Sequence, residues 1–138
     1  MSGLAALLAG RRPPGVYRWH ASFEPAVVRD AVEAAGARLG HVDGWPLPDR
    51  AAVLAELGVA LGFPDWHGRN LDALWDCLTD LTAPTVLLWD GWSVLARADE
   101  PAFAGVLGVL RDRSAEEPAF STLLRGEGPD LADVPHLD

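Results

Sequence analysis

Residues 61–89 read LGFPDWHGRNLDALWDCLTDLTAPTVLLW, and two different periodicities meet in them. From Asn70, a residue suited to capping a helix, Leu71, Leu74, Leu78 and Leu81 recur at the three- and four-residue spacing that puts side chains on one helical face. That face belongs to a core. Beyond Pro84 the pattern changes, because Thr85 to Trp89 is continuously apolar without alternation, as in a strand covered on both sides. A helix running into a doubly covered strand predicts an α/β domain, so the rest of the chain is read for the same alternation.

Upstream, Asp49 caps a helix in which Ala52, Val53, Leu54, Leu57, Val59 and Leu61 lead to a stop at Gly62. Before it, Arg38 to Val42 reads as a short strand, and Asp43-Gly44 and Pro46 to Pro48 as the turn after it. Glu24-Pro25 opens a helix carrying Val28, Ala31, Val32 and Ala35 as far as Gly36, and Gly15 to Ala21 reads as a first strand. Downstream, a helix around Pro101 to Ser114 and a strand around Ala119 to Leu124 complete the series. The expected architecture is a small, mostly parallel sheet of three or four strands flanked by helices in two or three layers. One domain is expected over 1–138, with 1–14 and the Gly-, Pro- and Asp-rich 126–138 flexible.

A chain of 138 residues hides about two-thirds of its unfolded surface and needs no disulfide or metal to hold it. Twenty acids against eleven bases, every base an arginine, give a net charge of −9. Without a basic stripe this is no nucleic-acid surface, and the balance favours a basic partner. The single cysteine, Cys77, excludes an internal disulfide and suits a reducing compartment. The apolar run Leu4 to Ala9 is followed, not preceded, by arginines, the wrong order for a secretory signal, and no stretch reaches membrane-spanning length. A cytoplasmic location with no membrane contact is expected.

The second face of the Asn70 helix carries the functional signal. Asp72, Asp76 and Asp80 are four apart and form one acidic stripe, with Trp75 and Thr79 beside it. Like charges at that spacing oppose one another by a few tenths of a kcal/mol per pair, and only Asp72, in the first turn, is favoured by the helix dipole. Carboxylates beside aromatics, with Trp66 in the preceding loop, suit binding to a cationic groove.

The stretch from Leu61 to Thr79, above all Asn70 to Thr79, resembles the signature of the barstar family, intracellular inhibitors of barnase-type ribonucleases. Over roughly 37–124 the order of strands and helices is similar to that family, and residues 15–36 look like an N-terminal addition. The resemblance implies a non-enzymatic, cytoplasmic inhibitor that lays this loop and helix across a nuclease's active-site cleft as a monomer in a 1:1 complex. Asp76 would take the place of a substrate phosphate, Asp72 would pair with a guanidinium, and Trp66 would pack over a catalytic histidine. Gly68, Asn70 and Trp75 match contact or loop-shaping positions, and Asp112 matches an acidic position on the next helix. His67 falls in the binding loop. Arg69, His67 and the Asp80-Leu81 pair depart from the family pattern, which points alternatively to an immunity module for another basic toxin or nuclease.

The remaining residues have plainer readings. Cys77 reads as a small buried thiol, and His20, His41, His67 and His136 lack metal-ligand spacing, so neither metal nor cofactor is expected. Trp89 and Trp92 should pack on the sheet, and Trp19 and Trp45 should be core or loop cover. Acid–base catalysis by the aspartates would need a concave pocket, whereas a stripe on a helix face is convex and wet.

Overall fold

The computed structural model describes residues 2–65 and 68–138. In chain order it contains α1 (Ser2–Leu8), β1 (Val16–Trp19), α2 (Pro25–Ala34), β2 (Arg38–Asp43), α3 (Arg50–Leu61), α4 (Leu71–Thr79), β3 (Thr85–Asp90), α5 (Ser93–Ala98), α6 (Glu100–Ser114) and β4 (Phe120–Arg125). The strands form one four-stranded sheet in the order β1-β4-β3-β2, and every pairing is parallel. The residues that end the helices behave as their chemistry dictates. Asp49 accepts the Ala52 amide at the start of α3, and Gly62 closes that helix in the left-handed conformation at φ 73°.

The sheet is the middle of three layers. On β3, Leu87 and Trp89 face the layer of α3 to α6 with Val53, Leu57, Leu74, Leu78, Phe103 and Leu110. Val86 and Leu88 alternate to the other face, where Leu4 and Leu7 of α1 and Val28 and Val32 of α2 cover them. This is the physical reason the β3 sequence shows no polar alternation. At the carboxyl ends of the strands, Asp90 accepts from His41 Nε2 at 2.8 Å and from Arg125 Nε and Nη2 at 2.6 and 3.0 Å. One carboxylate thereby ties β2, β3 and β4 together.

Several expectations change. Both ends of the chain, expected to be flexible, are packed. Leu4 is fully buried in α1, Val134 and Leu137 are buried in the tail, and Arg18 bridges His136 along the free edge of β1. Trp45, read as core or loop cover, is 53% exposed and so not core; its backbone and ring cross close over Gly91, which has φ 66° and leaves no room for a side chain. Trp19, Trp89 and Trp92 are buried. The six-residue α5 has no counterpart in the sequence reading.

Candidate functional site

The site is built on α4. Asn70 precedes it in an extended conformation and its side chain accepts the Ala73 amide at 2.8 Å. Gly68 keeps that cap accessible, since a Cβ there would come within 3.2 Å of the Asn70 side chain and 3.3 Å of Ala73 Cβ. Leu74 and Leu78 are buried, while Leu71 and Leu81 pack at the margin of the same core. With the apolar face held inward, Asp72, Asp76 and Asp80 are all exposed on the outside. Trp75 is half-buried between the two faces, and Thr79 is exposed with its hydroxyl donating to the Asp76 carbonyl at 2.8 Å. Trp66 and His67 lie outside the described residues.

Among the described residues the ion pairs all converge on Asp90, and none involves the carboxylates of α4. The stripe therefore points unneutralised into solvent, with only Asp72 in the first turn, where the dipole stabilises it. Asp80 is the C-cap residue, the unfavourable end for an acid.

A residue the sequence reading passed over explains how α4 tolerates this. Arg113 of α6 is 1% exposed, and its Nε donates to the Leu78 carbonyl at 2.8 Å while its Nη1 donates to the Glu116 carbonyl at 3.1 Å. A cation thus meets the carboxyl end of α4, where the helix dipole favours one. The helices also approach closely where Gly105 of α6 faces Leu71, since a Cβ at Gly105 would meet Leu71 Cδ1 at 3.0 Å. Asp112, next to Arg113 and exposed, thereby lies on the helix packed beside the acidic one. Nothing in composition marks Arg113 as an anchor, because arginine is ordinarily a surface residue.

Cys77 is partly exposed on the flank of α4, not buried as expected. Partial burial, then Asp80 and Asp76, push its thiol above the ordinary cysteine range. A thiol held protonated by its neighbours is a poor nucleophile. Among the described residues no cluster of three or more His, Cys, Asp or Glu could hold a metal ion, and no helix is long and apolar enough to cross a membrane.

The Barstar (barnase inhibitor) family model matches residues 37–125, more than half of the chain. The chain belongs to the barstar family. The match opens just before β2 and closes on the last residue of β4, so α1, β1 and α2 lie outside the barstar region. Over 38 residues the chain is 50% identical to "Putative ribonuclease inhibitor YrdF" of Bacillus subtilis (strain 168), an alignment covering 28% of this chain and 42% of that protein. The chain thus spans less than half of that relative. Among solved structures it is similar to the ORC2 protein of Aeropyrum pernix, with a TM-score of 0.62 at 15% identity to the ADPNP-ADP complexes and 0.57 at 16% identity to the ADP form. These likenesses cover 92% of this chain and 38% and 39% of those chains, and at such identity they concern the fold alone.

Proposed function

We propose that this barstar-family protein is a non-catalytic, cytoplasmic inhibitor of a barnase-type, guanyl-specific ribonuclease, which it plugs in a 1:1 complex with the acidic face of α4 and the loop before it. One observation carries the reading. Asp72, Asp76 and Asp80 stand exposed and without ion-pair partners among the described residues, on a helix fixed from behind by Leu74, Leu78 and Arg113. A ribonuclease holds the RNA phosphates and their developing charge with arginine, lysine and histidine, so rigidly presented carboxylates can imitate the substrate.

Asp76, central in the stripe, is the principal phosphate mimic, with Asp72 on a guanidinium and Asp112 extending the acidic surface. Gly68, Asn70, Trp75, Thr79 and Asp80 complete the partner-binding face together with Trp66 and His67. The net charge of −9 speeds encounter with a basic enzyme. The barnase and barstar pair is itself the standard example of such steering, so this agreement is not independent.

Arg69, exposed in the loop, and Asp80 support a second reading in which the same face serves a different basic nuclease or toxin as an immunity partner. The test is inhibition of a barnase-type ribonuclease by Asp76→Ala. At a hot-spot cost of about 2 kcal/mol or more, inhibition should weaken by roughly 30-fold or more while the unfolding temperature stays put. Unchanged inhibition, or loss of the fold with the side chain, would remove Asp76 from this role.

A further inference from the structure

A cleft apart from α4 plays no part in the proposed inhibition. It opens at the carboxyl ends of β1 and β4, has a volume of about 670 Å³, and shares no residue with α4. After β1 the chain turns through 20–24 into α2 on one face of the sheet, and after β4 it turns through 126–134 to bury Val134 on the other. Neighbouring parallel strands whose connections leave to opposite faces open a crevice between them, the usual ligand position in open α/β sheets.

The chemistry of the lining is at odds with the rest of this acidic protein. Arg18, Arg97 and Arg125 line the cleft from three elements, with His20 beside them and Glu127 as the one carboxylate among the described lining residues. Arg125 is already neutralised by Asp90. Arg97 is exposed at the end of α5 and has no ion-pair partner among the described residues.

Arg18 decides the matter. It is 8% exposed, yet no carboxylate pairs with it among the described residues. Among the described residues its Nη atoms make only long bonds, to the carbonyls of Pro129 and Gly126 at 3.3 and 3.4 Å, and its Nε has no hydrogen-bond partner, while the guanidinium lies over the Trp92 ring at 4.6 Å. A nearly buried cation without a counter-ion is costly, and one that lines an open cleft is suited to an anionic ligand.

We propose that this cleft binds the phosphate group of a small molecule, held by Arg18 and Arg97. Donors converging from several elements suit a tetrahedral phosphate better than a planar carboxylate, which offers only two oxygens. The volume suits a ligand of mononucleotide size.

The probes are inorganic phosphate, 5′-AMP and adenosine, titrated into the full chain by calorimetry, with thermal unfolding in parallel. Phosphate and AMP should bind and raise the unfolding temperature, and adenosine should do neither. Arg97→Ala, at an exposed position that leaves the fold intact, should weaken AMP binding by about tenfold, the loss expected for one charge-assisted contact. Arg97→Glu should abolish binding, and Asp76→Asn should leave it unchanged. Failure of both phosphate and AMP to bind, adenosine binding as well as AMP, or unchanged affinity in Arg97→Glu would each overturn the assignment.

Discussion

Replacing Arg113 by alanine tests the link between the core and the acidic helix. The side chain is almost completely buried, donates to the carbonyls of Leu78 and Glu116, and stacks near the Phe120 ring at 5.6 Å. Hydrogen bonds from a charged donor contribute about 1.5–3 kcal/mol each, so the two together represent roughly 3–6 kcal/mol. Against this stands the desolvation of the guanidinium, several kcal/mol, which the substitution relieves. Burial also acts on the group directly, pushing its pKa below the ordinary arginine range, with Glu116 and Glu117 opposing the shift. The stem leaves a cavity and the carbonyl end of α4 loses its cation, which tips the balance to a net loss of about 2–3 kcal/mol. For a chain of this length that is a fall in the unfolding midpoint of roughly 8–12 °C, measurable by circular dichroism or calorimetry. Arg113→Lys keeps the charge but not the fork and should fall between. A variant within about 2 °C of the parent would refute the claim that Arg113 anchors α4.

Three further outcomes follow from the same geometry. Leu78→Ala, at a fully buried position on the inner face of α4, should lower stability by about 2–5 kcal/mol in urea unfolding. Asp90 has its carboxyl below the ordinary range, because burial, which alone would raise it, is outweighed by the hydrogen bonds from Arg125 and His41 and their charges. A depressed pKa contributes stability that is present above the ordinary carboxylate range and is lost as pH falls through the folded-state value. Asp90→Asn should therefore be less stable at pH 7 by about 1–3 kcal/mol, with the gap to the parent narrowing below about pH 4. Cys77, with its thiol raised, should react with iodoacetamide at pH 8 more slowly than a free cysteine, and faster in an Asp76→Asn, Asp80→Asn double variant. Equal rates in parent and double variant would place the acids too far from the sulfur.

The parts of this fold that were legible are those whose signal is local. Asn70, Asp49 and Gly62 mark helix ends by chemistry that acts within three or four residues, and the β3 run states its own double burial. What escaped depends on contacts distant in sequence. α1 is a seven-residue Ala and Leu segment held by the far end of the chain, for Gly3 packs against the backbone of Leu137 and Asp138. The tail looks frayed because Leu131, Val134 and Leu137 are scattered among prolines and aspartates, and their partners, the two core clusters and the edge of β1, are far away in sequence. The exposed stripe of Asp72, Asp76 and Asp80 was readable because one helix carries it. The burial of Arg18 and Arg113 was not, since composition treats arginine as surface, and the carbonyls of Pro129, Gly126 and Leu78 that they meet are distant in sequence. Trp45 reads as apolar bulk, yet the turn that carries it runs over the outside of Gly91.

The central claim is tested most directly by titrating a barnase-type ribonuclease with this protein while following RNA cleavage at low and at physiological salt. Activity should fall linearly to zero at one equivalent, with association slowing as salt screens the carboxylates of α4. Undiminished cleavage at a large excess of the protein, at both salt concentrations, would contradict it.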